Sequence, residues 1–442
     1  MSTQSGQNTR TVYSSRRKWG VLAATLPARF VINGLAWASF TLLLSSICTE
    51  MGWSDAQRTA ASSAYQVGQV IAMLLIGFLL DKFSVKKLFA FAIILLAGVA
   101  VLMRGCATNF PIFYISVVLY GFPYGAILLS TVKLWAMWFP KDQMAVANGC
   151  NTAFGTLGQF CINFASTPIL MMTGGWRGLW IICSIILFAS FFLFWFLCPE
   201  RGQMDAEVKP QYDKSELGLW KNFRTLIKVP RVWCLWVSDI AQGATIMTCS
   251  TYASIVLQND PNWGLDRAAA GHITMFTNIG SLIGYFVLQQ IIRKVVRRKG
   301  YDAMPVMSFG IGLISCILFA IGYNSFNIPT AQACCLIGGI GMSAMIIAPR
   351  TLQIQQPEVA GPRAGTVNGI GGIIARVVGI GLSTLAGIIA AYFNNTSVIM
   401  YILYGFMALN PIFLLVYLGV RKHEIKIGRL AAENPADELR RE

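Results

Sequence analysis

Three ionisable side chains lie deep inside long apolar runs of this chain: Arg29, Asp239 and Arg376. At about 1.5 Å of rise per helical residue, Arg29 sits about 15 Å beyond Trp19 and Asp239 about 12 Å beyond Arg231. Arg376 falls about twelve residues into its run, near the middle of a bilayer roughly 30 Å thick. A charge at that depth costs about 2.5–3.5 kcal/mol on insertion scales, which makes each of the three a functional candidate. Two guanidinium groups against one carboxylate leave a positive charge over. A dehydrated anion would be its partner through charge-assisted hydrogen bonds, or the surplus is structural and turned to backbone carbonyls.

Polar and aromatic residues surround these positions. Asn33 and Trp37 share the helical face of Arg29. A second apolar run offers Tyr65, Gln66 and Gln69, and a fourth offers Tyr120 and Tyr124. Gln242 lies one turn from Asp239. We expect Arg29, Arg376, Asn33, Tyr65, Gln66, Gln69 and Tyr124 to contact substrate, with Asp239 and His272 carrying a coupling proton, since histidine is the usual switch near neutral pH. Gly365, Gly369, Gly372, Arg376, Gly379 and Ser383 recur every three or four residues and so share one face. Small residues at that spacing let helices approach closely. Arg376 either aims its planar fork at a carboxylate along that face or closes a packing seam.

The elements that must position these groups follow from composition. Of 442 residues 55% are apolar and 12% charged, with 35 basic and 19 acidic side chains; soluble domains carry about a quarter charged residues. That excludes a soluble enzyme and a disordered chain, and the runs are too long and unalternating for a β-barrel pore. Twelve apolar segments have spanning length, at approximately 19–47, 58–80, 87–108, 111–138, 144–172, 177–198, 232–257, 265–291, 303–323, 327–349, 364–393 and 397–420. The first continues past Ile32 without a small-residue cleavage site and reads as a retained helix. The fold expected is an all-α polytopic membrane protein of two six-helix bundles, 1–198 and 231–442, joined by a polar linker over 199–230.

Lys and Arg gather on one side of these spans, about 28 against four (Arg58, Arg104, Arg177 and Arg267), which places both termini and the linker in the cytoplasm of a cell-membrane protein. The basic surplus is therefore topology and implies no nucleic-acid partner. The eleven cysteines show no C-x-x-C pattern and histidines number two, so no metal site is expected. The halves also repeat. Gly77 before Lys86 and Lys87 corresponds to Gly284 before Arg293 and Lys294, Lys133 and Pro140 correspond to Arg350 and Pro357, and Asn148-Gly149 corresponds to Asn368-Gly369. Two such halves suit alternating access around a central site.

The run Gly77-Phe78-Leu79-Leu80-Asp81-Lys82-Phe83-Ser84-Val85-Lys86-Lys87 closely resembles the 2–3 loop signature of the major facilitator superfamily. Trp138-Phe139-Pro140 ahead of Asn148-Gly149, and Gly175-Trp176-Arg177, are similar to that family as well, although Leu288 replaces the acid in the second half. The resemblance implies a gate in which Asp81 meets the positive N-terminal end of the eleventh helix near Gly361–Gly365. Lys82, Lys86 and Lys87 would add ion pairs and face anionic lipid, or serve only as topological anchors. It also implies that spans one and seven approach each other, so that Arg29 and Asp239 pair and protonation of Asp239 releases Arg29.

Within that family, drug-exporting antiporters would show an arginine in span four, where Val118 stands, and a Gly-Pro motif in span five, which has no proline over 148–158. Nitrate carriers would show mid-span arginines in spans two and eight, and neither has one. Basic residues in spans one and eleven look most like oxalate/formate and monocarboxylate carriers, with organophosphate carriers behind them. The expectation is a monomeric secondary transporter of a small organic anion, a carboxylate, by proton symport or anion exchange; the alternatives are a proton-coupled drug exporter and an organophosphate carrier. No phosphate loop for ATP is present and no cofactor is expected.

Overall fold

The computed structural model describes residues 15–139, 141–200, 224, 226–300, 302–354, 356, 363–393 and 397–427. Among these, every regular element is helical, and the elements join into twelve rods. The first, α1, is α-helical over Ser15–Arg29, passes through a π-helical turn Phe30–Leu35 and continues as Ala36–Met51. Then come α2 (Asp55–Lys82), α3 (Val85–Lys87, π-helical Leu88–Leu95, Leu96–Gly105), α4 (Phe110–Trp138), α5 (Lys141–Thr173) and α6 (Trp176–Leu197). The second series is α7 (Pro230–Asn259), α8 (Arg267–Ile283, π-helical Gly284–Leu288, Gln289–Lys299), α9 (Ala303–Asn324), α10 (Ile328–Ile354), α11 (Arg363–Phe393) and α12 (Ser397–Met407 with Leu409–Lys426).

Short polar signals punctuate the apolar runs. Ser54 and Gln57 form a reciprocal capping box at the start of α2, Asn109 caps α4 ahead of Pro111, and the Asp266 carboxylate accepts from the Ala269 amide at 2.8 Å to start α8. Gly52 ends α1 in the left-handed region, with φ of 66°, where a side chain would be strained.

Among the described residues, ten of the rods are long and apolar enough to cross a membrane. The other two, α5 and α7, carry many buried polar side chains. They bury Asn151, Asn163 and Ser166, and Ser238, Asp239, Gln242, Thr245 and Thr248. Large apolar side chains do the reverse and face outward, Met172 at 87% exposure and Phe196 at 79% among them. A chain that turns its polar groups inward and its apolar bulk outward is built for lipid, and this is a multi-pass membrane protein.

Apolar packing separates along the sequence. One core cluster draws only on buried residues between Val21 and Cys198, and three others draw on buried residues between Leu226 and Tyr417. Glycine crossings repeat in the two series. Gly68 of α2 meets Gly121 of α4, where a Cβ on Gly121 would lie 2.9 Å from the Gly68 Cα, and Gly280 of α8 meets Gly339 of α10, where the corresponding distance is 3.2 Å. The pseudo-symmetric plan is thus visible in which backbones touch.

Among the described residues, three main seams join the series. Along α2 and α11, Thr59 lies against Gly387, Gln66 against Gly379 and Ser383, and Met73 against Gly372. Across α1 and α7, the Ser45 hydroxyl donates to Asn259 Oδ1 at 3.2 Å, and Gln258 Nε2 to the Leu42 carbonyl at 3.3 Å. Between α5 and α8, His272 meets the Phe164 carbonyl. The start of α1 and the end of α12 share one face of the molecule, here called the terminal face. The α1–α7 and α5–α8 contacts lie toward the opposite one.

Candidate functional site

The π turn in α1 sets the geometry around Arg29. Arg29 is the last residue before it, and its Nη1 donates to Asn33 Oδ1 at 2.6 Å. Widening a helix to i→i+5 bonding disturbs the regular ladder and leaves carbonyls free for outside donors. Both central carbonyls are used that way. Ile32 accepts from the Tyr120 hydroxyl of α4, and Asn33 accepts from Gln159 Nε2 of α5 at 2.7 Å.

Glycines bring α5 close enough for this. A Cβ on Gly34 would lie 2.7 Å from the Gly158 Cα, and one on Gly158 would collide with the Phe30 carbonyl. At Gly155 a Cβ would sit 3.4 Å from Arg29 Nε, so the missing side chain leaves room for the guanidinium.

Aromatic residues enclose the site. The Trp37 ring lies 4.3 Å from Tyr65 and 5.4 Å from Tyr124, and Tyr124 lies 6.1 Å from Tyr65 and 6.3 Å from Tyr120. Tyr124 stands near Asn33 and within electrostatic reach of both Arg29 and Arg376. Arg376 also acts on Tyr65. Its Nη1 is 3.7 Å from where a Cβ on Gly243 of α7 would stand, so that glycine leaves the guanidinium its space. The two deep arginines, one from each series, thus act electrostatically on one buried tyrosine.

Some polar atoms here are left without partners inside the protein. Gln69 and Tyr65 are each 0% exposed, and neither the Gln69 amide atoms nor the Tyr65 hydroxyl has a hydrogen bond among the described residues. The same holds for Arg29 Nε. A buried donor left unmet costs about 1–3 kcal/mol, which a polar ligand can relieve.

Other expected residues lie elsewhere. Gln66 is used in the α2–α11 seam, where its Nε2 donates to the Ser383 hydroxyl at 3.2 Å, and Ser383 is also 3.3 Å from the Thr248 hydroxyl. The small-residue face of α11 is that seam. Arg29 does not pair with Asp239. Its segment of α1 packs on α5 and α6, and the charges and dipoles acting on it come from Tyr124, Tyr285 and Tyr120. Among the described residues, the hydrogen bonds between α1 and α7 lie in their halves toward the opposite face, beyond the depth of both residues.

His272 is remote from Asp239. It is exposed, near the opposite face, with Nε2 3.1 Å from the Phe164 carbonyl. Lys86 lies over the Trp195 ring at 4.5 Å and Lys87 pairs with Glu200 at 3.2 Å. The side chains of Asp81 and Lys82, the surroundings of Gly77 and the contact expected near Gly361–Gly365 lie outside the described residues.

Two residues escaped the sequence reading. Tyr285 comes from the π turn of α8, directly after the repeat glycine Gly284, which is the signal that marked it. Arg104, read from its position as a surface residue, is fully buried, and none of its three nitrogens has a hydrogen-bond acceptor among the described residues. Instead its Cζ lies 4.6 Å from the Tyr120 ring centroid, 5.0 Å from Phe40 and 5.1 Å from Trp180. Three aromatic faces around one guanidinium form a cation–π cage.

Beyond Trp37 and Tyr124, toward the opposite face, a cavity of ≈ 160 Å³ opens between the two series. Its polar lining includes Thr41, Gln159, Asn163, Ser254, Thr277 and Asn278, and among the described residues no charged side chain contributes to it.

Residues 30–384 match the family described as the Major Facilitator Superfamily. The chain is 23% identical over 360 residues to "Probable anion transporter 2, chloroplastic" of Oryza sativa subsp. japonica, covering 75% of this chain and 64% of the rice protein's length. It is 23% identical to "Probable nitrate/nitrite antiporter NarK1" of Thermus thermophilus, covering 78% of this chain and 80% of that one. Against "Probable sulfoacetate transporter SauU" of Cupriavidus necator identity is 21%, over 73% and 75%. The crystal structure of a bacterial homologue of the human lysosomal transporter Spinster, inward-facing, superposes with a TM-score of 0.67 at 15% identity over 92% of this chain and 97% of that one. The nucleoside transporter NupG does so at 0.66 and 15%, over 92% and 99%. These two likenesses bear on fold alone.

Proposed function

The chain belongs to the Major Facilitator Superfamily, and on that premise we propose that it carries a small organic anion, a carboxylate, across the membrane by alternating access. The observation that supports this reading is that Arg29 and Arg376, one from each series, are both buried within electrostatic reach of Tyr124, and that Arg29 Nε, the Tyr65 hydroxyl and the Gln69 amide have no hydrogen-bond partner among the described residues. A carboxylate offers about four acceptor sites and no donor, and so matches guanidinium, tyrosine hydroxyl and amide N–H together. The relatives named for anions, nitrate/nitrite and sulfoacetate agree with the sign of the charge.

Anion exchange is the simpler coupling. Arg29 is held by the neutral amide of Asn33, so no protein carboxylate has to be protonated before it can take the anion. Each half contributes one arginine, and an anion between them neutralises the charge that would oppose their approach. The 28-to-4 distribution of basic residues supports both termini, the linker and the Lys86–Lys87 end of α3 facing the cytoplasm of the cell membrane, with 1–198 and 231–442 as the moving halves.

Purified protein in liposomes tests this. Vesicles loaded with unlabelled anion and offered the labelled one are screened with mono- and dicarboxylates, sulfoacetate, nitrate, phosphate esters and a cationic dye. Carboxylate counterflow is expected, and Asp239→Asn keeps it. Dye movement without carboxylate movement would overturn the assignment, and a pH-driven uptake lost in Asp239→Asn would restore proton symport.

A further inference from the structure

The α5–α8 seam contains a carbonyl that its own helix cannot satisfy. Pro168 lies inside α5 and has no N–H, so the carbonyl four residues earlier, that of Phe164, loses its helical donor. The backbone departs from helix beside it, at Ala165, with φ of −117° and ψ of 32°. From the other series His272 of α8 brings Nε2 to 3.1 Å from that carbonyl, with its ring 6.0 Å from the Phe164 ring. Gly271 makes the approach possible, since a Cβ there would lie 2.6 Å from the neighbouring Asn163 carbonyl.

We infer that Phe164, Pro168 and His272 form a latch that holds the passage closed at the face opposite the termini. The proline creates the acceptor on one half and the histidine supplies the donor from the other. With the halves apart, water can reach the carbonyl. With them together His272 donates to it across the seam, and one neutral hydrogen bond made in this state alone favours the closed state. The His272 ring acts as the donor in its Nε2–H tautomer. This inference rests on alternating access and is independent of the cargo.

Two native cysteines report the state. Cys249 is buried and lines the cavity between the series, whereas Cys106 is exposed at the end of α3 near the opposite face. A membrane-impermeant maleimide is added at that face of membrane-embedded full-length protein, and Cys249 labelling is scored against Cys106 by mass spectrometry. His272→Ala is expected to raise the ratio about 2- to 10-fold, the equilibrium shift carried by one neutral hydrogen bond. His272→Gln, which keeps a side-chain N–H, is expected to raise it less.

Pro168→Ala returns an N–H to the Phe164 carbonyl in both states, so His272→Ala should have little effect on that background. A purely packing role for His272 would lower thermal stability and leave the ratio in folded protein unchanged. An unchanged ratio in His272→Ala with wild-type Cys249 labelled, or the same fold-change on both backgrounds, would overturn the latch. Failure to label Cys249 in every variant would contradict the opening itself and the latch with it.

Discussion

Arg104 shows how far a side chain can lie from the place its sequence position suggests. It falls near the end of α3, as a surface cation would, yet it is fully buried among Phe40, Tyr120 and Trp180 with no hydrogen-bond acceptor among the described residues. Cation–π attraction of about 2 kcal/mol or more per desolvated contact has to offset the several kcal/mol lost on removing the charge from water. Arginine meets this demand better than lysine, whose compact ammonium is more strongly hydrated. Arg104→Met is accordingly expected to stay within about 1 kcal/mol of wild type or to gain stability, while Arg104→Lys loses about 2 kcal/mol or more. Thermal unfolding in detergent orders the three proteins, and a lysine variant more stable than the methionine variant would refute the cage. Much else at this scale was legible beforehand. A charge in an apolar run is conspicuous, so Arg29 and Arg376 stood out, and helical spacing placed Asn33 and Trp37 beside Arg29. Pairing was not legible: depth along two helices says nothing about whether they diverge, and so Asp239 was matched to Arg29 in error.

At the scale of elements, apolar runs announced the helices, because twenty residues free of charge have few other fates in a chain this poor in polar side chains. Their internal irregularities were hidden. Nothing in Phe30-Val31-Ile32-Asn33-Gly34-Leu35 distinguishes a π turn from an α turn by composition. The turn is selected by outside donors, Tyr120 and Gln159, that take its freed carbonyls, and by the contact of Gly34 with Gly155 and Gly158. Restoring bulk at that crossing should undo it. In Gly158→Val the new side chain meets the Phe30 carbonyl, backbone rather than a movable side chain. Overpacking of this kind costs about 1–3 kcal/mol, and α1 must move away from α5 and take Arg29 with it. Anion affinity is therefore expected to fall about tenfold or more even where the protein still folds, as measured by substrate protection against thermal unfolding. Unchanged affinity in folded Gly158→Val would show that the π turn does not position Arg29. The small-residue face of α11 was legible as a close-packing surface, but its partner, α2 of the other half, emerged only from the fold.

At the scale of the whole molecule, two series of six rods repeat their glycine crossings and each bury their own apolar core. The seams between them are mostly small residues, hydroxyls and amides. Such contacts can part and re-form, whereas an apolar seam would lock the halves together or expose a greasy surface to water on opening. Arg29 and Arg376 come from different halves and both act electrostatically on Tyr124, so an anion bound by the two would be held by both halves at once. The central claim is that these two guanidiniums bind the cargo together. The most direct test is equilibrium counterflow of a labelled carboxylate in liposomes by wild type, Arg29→Gln, Arg376→Gln and the double variant. A charged hydrogen bond is worth about 1.5–3 kcal/mol, or about 10- to 100-fold in affinity. Each single variant should lose at least that factor, and the double variant should lose little more than the worse single one. Full counterflow with either glutamine in place, at wild-type half-saturation, would contradict the account.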